Sequence, residues 1–180
     1  MIDGAPAFVV RRLRPEDVAA FQAGMPAWNA HEYADRLAFQ ERKLAVQLVA
    51  WVGDDAVGKA MVVFPGHAEW SESAFRETCP EIRDLAVHES WTRRGIGTAL
   101  VRAAEDEVRA AGFDRIGLGT GLEPSYAPAR AMYERLGYRE AHGPYVSAAR
   151  LADDKGRAIP VAGVCVYLVK TFAPAEDQPS

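Results

Sequence analysis

With 180 residues, the chain is expected to form one domain with a core large enough to fold without disulfides or a metal. It is 49% hydrophobic and 26% charged, as globular proteins are, and 21 basic against 25 acidic residues give a net charge of −4. No basic block lies outside residues 93–94, which argues against a nucleic-acid partner, and no apolar run approaches the roughly 18 residues of a membrane span.

The first half of the chain predicts strands and helices in alternation. AFVVRRL, residues 7–13, is typical of a strand, and helices are predicted near residues 15–24 and 31–43. KLAVQLVAWVG and AVGKAMVVF predict a hairpin around Gly53-Asp54-Asp55. Residues 65–80 are expected to form a loop.

The second half predicts a strand over 81–87, a helix from Gly95 to Ala111, a strand over 114–120 and a helix over 127–136. Further strands are predicted at 138–141 and 161–172, with a loop or an extra hairpin at 142–160. In the helix from Gly95, one face is apolar and Glu105 is expected to lie off it. That apolar face consists of Ile96, Leu100, Ala104, Val108 and Ala111.

Hairpin-like strands come first and βαβ-like units later, which predicts a mixed α/β fold of the α+β class. We expect a single domain over 1–172, with a mostly antiparallel mixed sheet of about six or seven strands and helices on both faces. Residues 173–180 are expected to be a disordered tail. The N-terminus lacks the features of a secretory signal, so Cys79 and Cys165 are expected to be free thiols of a cytoplasmic protein.

The stretch VHESWTRRGIGTAL, residues 87–100, places two arginines and two glycines between a predicted strand and helix. A helix N-terminus presents unpaired N–H groups and about half a positive charge. Glycines allow a ligand to approach the backbone, so this turn predicts a phosphate or pyrophosphate site; a simple tight turn is the alternative. The Walker and Rossmann patterns are both incomplete. A later glycine run, 117–121, is interpreted as a strand end and turn.

Two motifs together resemble the GNAT superfamily of N-acetyltransferases. EIRDLAVHESWTRRGIGTAL corresponds to the family's strand, its [QR]xxGx[GA] turn and its helix, and ARAMYERLGY corresponds to the element that carries a tyrosine, here Tyr133. The resemblance implies a GNAT-like acyl-CoA N-acyltransferase fold and acetyl-CoA as cofactor. The chain departs from the family at Thr92 and at Tyr126, where an asparagine often contacts the pantetheine arm.

The resemblance also implies how coenzyme A is bound. The pyrophosphate would lie on the turn and the first helical turn, and the pantetheine arm would lie along the preceding strand beside Tyr126. The implied strand positions are Leu85, Ala86 and Val87. The implied turn positions are Arg93, Arg94, Gly95, Ile96, Gly97 and Thr98.

The chemistry requires a base, because a lysine-like amine has a pKa of about 10.4 and attacks only as the free amine. The resemblance makes Glu81 the first candidate for this base. The alternative is that Glu81 is only a solvated carboxylate at the end of a strand. Asp84 is the second candidate. Its side chain is expected on the opposite face of the strand from that of Glu81, unless a bulge intervenes, and a water relay is the third possibility. Tyr133 could protonate the leaving thiolate or serve as a core aromatic.

The acceptor is expected to be a small-molecule primary amine, bound by residues 20–35, 65–80 and 140–160. The segment 142–160 is expected either to close over the site or to form a homodimer contact. No metal site is expected, because His31, His67, His88 and His142 lack metal-ligand spacing. The competing hypotheses are a non-catalytic acyl-CoA-binding sensor or interaction module and a phosphate-binding interaction domain.

Overall fold

A computed structural model describes residues 7–26, 32–65, 79–152 and 158–173. Within these residues, seven strands form one sheet in the order β1-β2-β3-β4-β5-β7-β6. The strands are β1 (Val9–Arg12), β2 (Ala45–Val52), β3 (Asp55–Val63), β4 (Glu81–Val87), β5 (Arg115–Gly121), β6 (Arg139–Ala152) and β7 (Ala158–Thr171). The helices are α1 (Val18–Gly24), α2 (Glu32–Glu41), α3 (Ile96–Ala110) and α4 (Ala127–Arg135). None of the helices in these ranges is long and apolar enough to cross a membrane.

The sheet confirms the predicted α+β fold with a mostly antiparallel mixed sheet. Strands β1 to β4 form an antiparallel meander, and β5, β7 and β6 form a second antiparallel group. The two groups meet where β4 and β5 run parallel. A parallel pair needs a crossover connection, and α3 supplies it.

Helices cover both faces of the sheet because side chains alternate along the strands. On β2, Leu48 belongs to the core cluster that includes α3 and Tyr133 of α4, whereas Val49 and Trp51 pack with α1 and α2. Tyr33 and Trp51 are buried core residues. We call the two sides of the sheet the α3–α4 face and the α1–α2 face.

The apolar face of α3 is confirmed with two exceptions. Its predicted residues are buried except Ala111, which lies beyond the last helical residue and is exposed. Glu105 is buried rather than exposed, because Lys170 of β7 reaches it with its Nζ 2.7 Å from Oε2. The sequence could not show this pairing, since the partners are 65 residues apart.

Of the two alternatives predicted for 142–160, a loop or an extra hairpin, the described residues confirm the hairpin. Residues 142–152 and 158–160 belong to two 14-residue strands, β6 and β7. The glycines of 117–121 lie inside β5 and not in a turn. The predicted disordered tail lies outside the described residues apart from Ala173, and so does most of the predicted loop at 65–80.

Candidate functional site

Strands β4 and β5 pair only at their beginnings and then diverge. Glu81 lies opposite Gly117 and Ile82 opposite Leu118, and the parallel pairing ends there. On its other side, β4 remains paired with β3, but Asp84 and Leu85 together occupy the space opposite Ala60. This β-bulge bends β4 where it leaves β5. The result is a slot between the two strands, whose facing backbone edges have no strand partner there among the described residues.

A cavity of about 410 Å³ occupies this slot and extends over the sheet. Its walls come from β4, β5, α4 and the β6–β7 hairpin. Five residues predicted from the sequence line it: Glu81, Asp84, Leu85, Tyr126 and Tyr133. A volume of this size is typical of sites for small molecules.

The glycines of β5 make room for two tyrosines on the α1–α2 face. A Cβ placed on Gly117 would lie 2.6 Å from Cζ of Tyr167, and one on Gly119 would overlap the hydroxyl of Tyr145. The ring of Tyr167 therefore packs against Gly117, and the hydroxyl of Tyr145 reaches Gly119 beside the cavity. These glycines serve packing rather than a nucleotide-binding turn.

Tyr133 projects from α4 into the core and into the cavity. Its side chain is 6% exposed, and its ring packs edge-on against Tyr138 at 5.8 Å between centroids. Burial raises the pKa of Tyr133 to about 12, so the phenol keeps its proton at neutral pH. The two interpretations of Tyr133 are compatible, because the ring is a core element and the residue also lines the cavity.

Glu81 is a buried carboxylate at the start of β4 and not a solvated one. It is 5% exposed, and its Oε1 lies 3.9 Å from Nε of Arg83. It also lies close enough to Tyr145 and Tyr167 to contribute to the raised pKa of both phenols. Glu81 thus faces the cavity among ionisable groups.

The second candidate base, Asp84, is ion-paired with two basic side chains. Its Oδ2 lies 2.7 Å from an Nη of Arg36 on α2 and 2.9 Å from Nζ of Lys59 on β3. The exception foreseen from the sequence applies here, because a bulge places Asp84 on the same α1–α2 face as Glu81. Its φ angle of 51° is left-handed, which is uncommon for a residue with a side chain.

The predicted anion turn lies at the N-terminus of α3. Arg93 and Gly95 both have left-handed φ angles, 58° and 84°, and Gly95 caps the 15-residue helix without a side-chain hydrogen bond. Arg94 is exposed and lies over the ring of Trp91 at 4.7 Å. Alternating left-handed residues turn successive N–H groups toward one side, as in anion-binding nests.

The remaining predicted contacts lie around the slot and not in the cavity wall. Ala86 packs against the α1–α2 cluster, and Val87 packs against the α3 core. The residues from 93 to 98 are outside the cavity lining, but Gly97 adjoins both Val87 and Met132 of α4. The turn, the end of β4 and α4 therefore meet at one place. Tyr126 is 48% exposed, and its ring covers Gly121.

Sequence reasoning assigned residues 140–160 to acceptor binding but did not identify the individual residues that the β6–β7 hairpin contributes to the cavity wall. Tyr145, Ser147 and Cys165 line the cavity there. Burial, with Cys165 and Glu81 nearby, raises the pKa of Tyr145 to about 12. The available signal was that residues 145 and 147 lie two positions apart, which places them on the same face of a strand. This signal is informative only once the segment is known to be a strand.

The two cysteines and His88 lie in or next to the strands that form the site. Cys79 and Cys165 are not joined in a disulfide, as predicted. His88 accepts a hydrogen bond from the backbone N–H of Ser90 at its Nδ1, 3.3 Å away, and so belongs to the turn after β4. In the part of the chain that the structure describes, no group of three or more potential ligands could hold a metal ion.

Comparison with known proteins agrees with this geometry. The sequence profile described as "Acetyltransferase (GNAT) family" matches residues 11–138. A crystal structure of a putative acetyltransferase of the GNAT family from Desulfovibrio desulfuricans covers 93% of this chain and 100% of its own, with TM-score 0.62 and 21% identity. That of a ribosomal-protein-alanine N-acetyltransferase from Brucella melitensis covers 91% and 99%, with TM-score 0.63 and 16% identity.

One curated relative is similar over a shorter stretch. The uncharacterized N-acetyltransferase YsnE of Bacillus subtilis strain 168 is 30% identical over 59 residues, 33% of this chain. The matched region spans 39% of the length of that relative.

Proposed function

The chain belongs to the GNAT family of acetyltransferases, and on this premise we propose that it transfers the acetyl group of acetyl-CoA to a primary amine of a small molecule. The observation that carries the proposal is the slot between β4 and β5, which opens into a cavity lined by Glu81 and Tyr133.

The slot suits a pantetheine arm. Beyond Ile82, the edge of β4 that faces β5 has no strand partner within the described residues, so its backbone groups could pair with the amides of the arm. Leu85, Ala86 and Val87 form that edge, with Tyr126 at the far wall. The residues from Arg93 to Thr98 would hold the pyrophosphate through helix N–H groups and positive charge.

When bound, acetyl-CoA supplies an activated thioester carbonyl. Glu81 would accept the proton that the attacking amine loses, directly or through water, as the new C–N bond forms. Tyr133 would donate its phenolic proton to the sulfur as the C–S bond breaks. A phenol suits this role because burial keeps it protonated at neutral pH.

The acceptor is proposed to be small because the cavity is of small-molecule size, about 410 Å³, and the hairpin residue Tyr145 forms part of its wall. A protein N-terminus is the main competitor. A panel of small amines and short peptides with free N-termini distinguishes the two. Transfer to peptides alone would contradict the small-molecule assignment.

The test is release of free coenzyme A thiol in the presence of each acceptor. We expect Tyr133→Phe to lower kcat about 100-fold or more while leaving the Kd for acetyl-CoA unchanged, since the ring remains and only the proton donor is lost. Tyr145→Phe is the matched control, because Tyr145 is a second tyrosine on the wall of the same cavity.

Two outcomes would contradict the account. Unchanged turnover in Tyr133→Phe would remove this residue as the acid, and a large loss in Tyr145→Phe alone would transfer the role to Tyr145. Tight acetyl-CoA binding without thiol release for any acceptor would favour a non-catalytic acyl-CoA-binding module.

A further inference from the structure

We propose that Asp84 is a positioning residue. Its ion pairs with Arg36 and Lys59 hold residue 84 in the left-handed conformation that makes the β4 bulge and keeps the slot open. The inference rests on the proposed function, because the slot is the proposed acetyl-CoA site. It assigns to Asp84 a role in shaping the backbone in place of the proton transfer considered from the sequence.

The bulge at Asp84 lies where β4 separates from β5. Asp84 has a φ of 51°, and the last paired residue between β4 and β5 is Ile82, two positions earlier. Asp84 and Leu85 share the space opposite Ala60, so one residue of β4 is extra relative to β3. If residue 84 relaxed to an extended conformation, β4 would lose its bend and could continue alongside β5.

A left-handed conformation is unfavourable for a residue with a Cβ, so something must hold Asp84 there. Two cations converge on its Oδ2: an Nη of Arg36 at 2.7 Å and Nζ of Lys59 at 2.9 Å. Both cations are buried, at 5% and 6% exposure, and need an anion nearby. The carboxylate can satisfy both only while residue 84 turns toward α2.

Arg36 and Lys59 are themselves held in place by other residues, which makes their ion pairs with Asp84 rigid. Arg36 also donates to Oε1 of Gln47 at 2.7 Å and pairs with Glu32. Gln47 in turn donates from Nε2 to the carbonyl oxygens of Leu48 and Ala60, each 3.0 Å away. Arg36 and Lys59 both lie over the ring of Tyr33. The bulge is thus tied to α2, β2 and β3.

The test compares Asp84→Ala with Asp84→Gly. Both variants lose the carboxylate and leave the same two cations, but glycine adopts a left-handed φ without penalty and alanine does not. We expect Asp84→Gly to bind acetyl-CoA nearly as the wild type does, and Asp84→Ala to bind about fivefold or more weakly. Titration calorimetry with acetyl-CoA measures both.

A charge-balanced pair of variants covers the case in which the single variants do not fold. Lys59→Met combined with either Asp84→Gly or Asp84→Ala leaves Arg36 paired with Glu32, and the same difference between glycine and alanine is expected. Equal affinities in the glycine and alanine variants would overturn the proposal. So would an equal, large loss in both, since the left-handed φ of residue 84 would then not account for acetyl-CoA binding.

Amide hydrogen exchange separates this proposal from the proposed function. In the alanine variant, residues 83–87 should exchange more slowly than in the wild type and the glycine variant, because β4 would pair with β5. This readout needs no ligand. If the wild type failed to bind acetyl-CoA, the proposed function would fail, and the exchange pattern would still support or overturn the role of Asp84.

Discussion

Substitution of Gly117 by alanine should destabilise the protein without involving any ligand. The added Cβ would lie 2.6 Å and 2.7 Å from Cζ and Cε1 of Tyr167, whereas ordinary contacts begin near 3.4 Å. The ring would have to move by about 0.8 Å in a fully buried site, with Cys79 Sγ only 3.8 Å from its hydroxyl. Overpacking of this kind costs about 1–3 kcal/mol, and the gain from replacing a strand glycine offsets about 0.5 kcal/mol of it.

We therefore expect Gly117→Ala to lower Tm by roughly 3–8 °C, measured by scanning calorimetry. Gly163→Ala is the control, because its Cβ would meet only Oε1 of Glu123 at an ordinary 3.5 Å, and its Tm should stay within about 2 °C of the wild type. A fully stable Gly117→Ala protein that bound acetyl-CoA more weakly would refute the packing explanation. The glycine run would then be a ligand-binding element.

Two further predictions concern buried ionisable groups. Burial raises the pKa of four phenols above their unfolded value of about 10, so their contribution to stability is complete below pH 10 and is lost as pH rises toward 12. The free energy of unfolding should then fall by about 4 kcal/mol between pH 10 and pH 11, and urea titrations that found it constant over this range would contradict this. The four phenols are those of Tyr33, Tyr133, Tyr138 and Tyr167. Lys170→Met should cost about 3–5 kcal/mol by leaving the buried Glu105 without its 2.7 Å partner. Arg109→Met removes a more exposed partner of Glu105 and should cost about 1 kcal/mol or less; equal losses would count against the burial argument.

The sequence predicted the elements whose signals are local. The bounds of β4 and nearly those of α3 followed from hydrophobic periodicity, and the glycines before α3 marked the turn. The resemblance to the GNAT superfamily depended on this same region and on the tyrosine of α4. The ends of a strand, a glycine turn and a helix in succession are marked by local residues, so no distant contact was needed to identify these elements.

The sequence could not predict features that depend on distant partners. Nothing near residue 84 indicates a left-handed φ, because the cations at Asp84 come from α2 and β3. Glu105 looks like a solvent-exposed helix residue until β7 places Lys170 beside it. For a related reason, the sequence left residues 142–160 open between a loop and an extra hairpin. Residues around Tyr145 are polar and contain glycine, and only pairing with β7 shows that they form a strand.

The most direct test of the account is binding of acetyl-CoA to the wild-type protein, measured as a shift in thermal unfolding with ATP and NAD as controls. A slot that accepts the pantetheine arm predicts a selective effect. At about 100 times its Kd, acetyl-CoA should add about 2.7 kcal/mol and raise Tm by roughly 5–10 °C, while ATP and NAD leave Tm nearly unchanged. No shift with acetyl-CoA, or an equal shift with ATP, would contradict the assignment of the slot and the turn to coenzyme A.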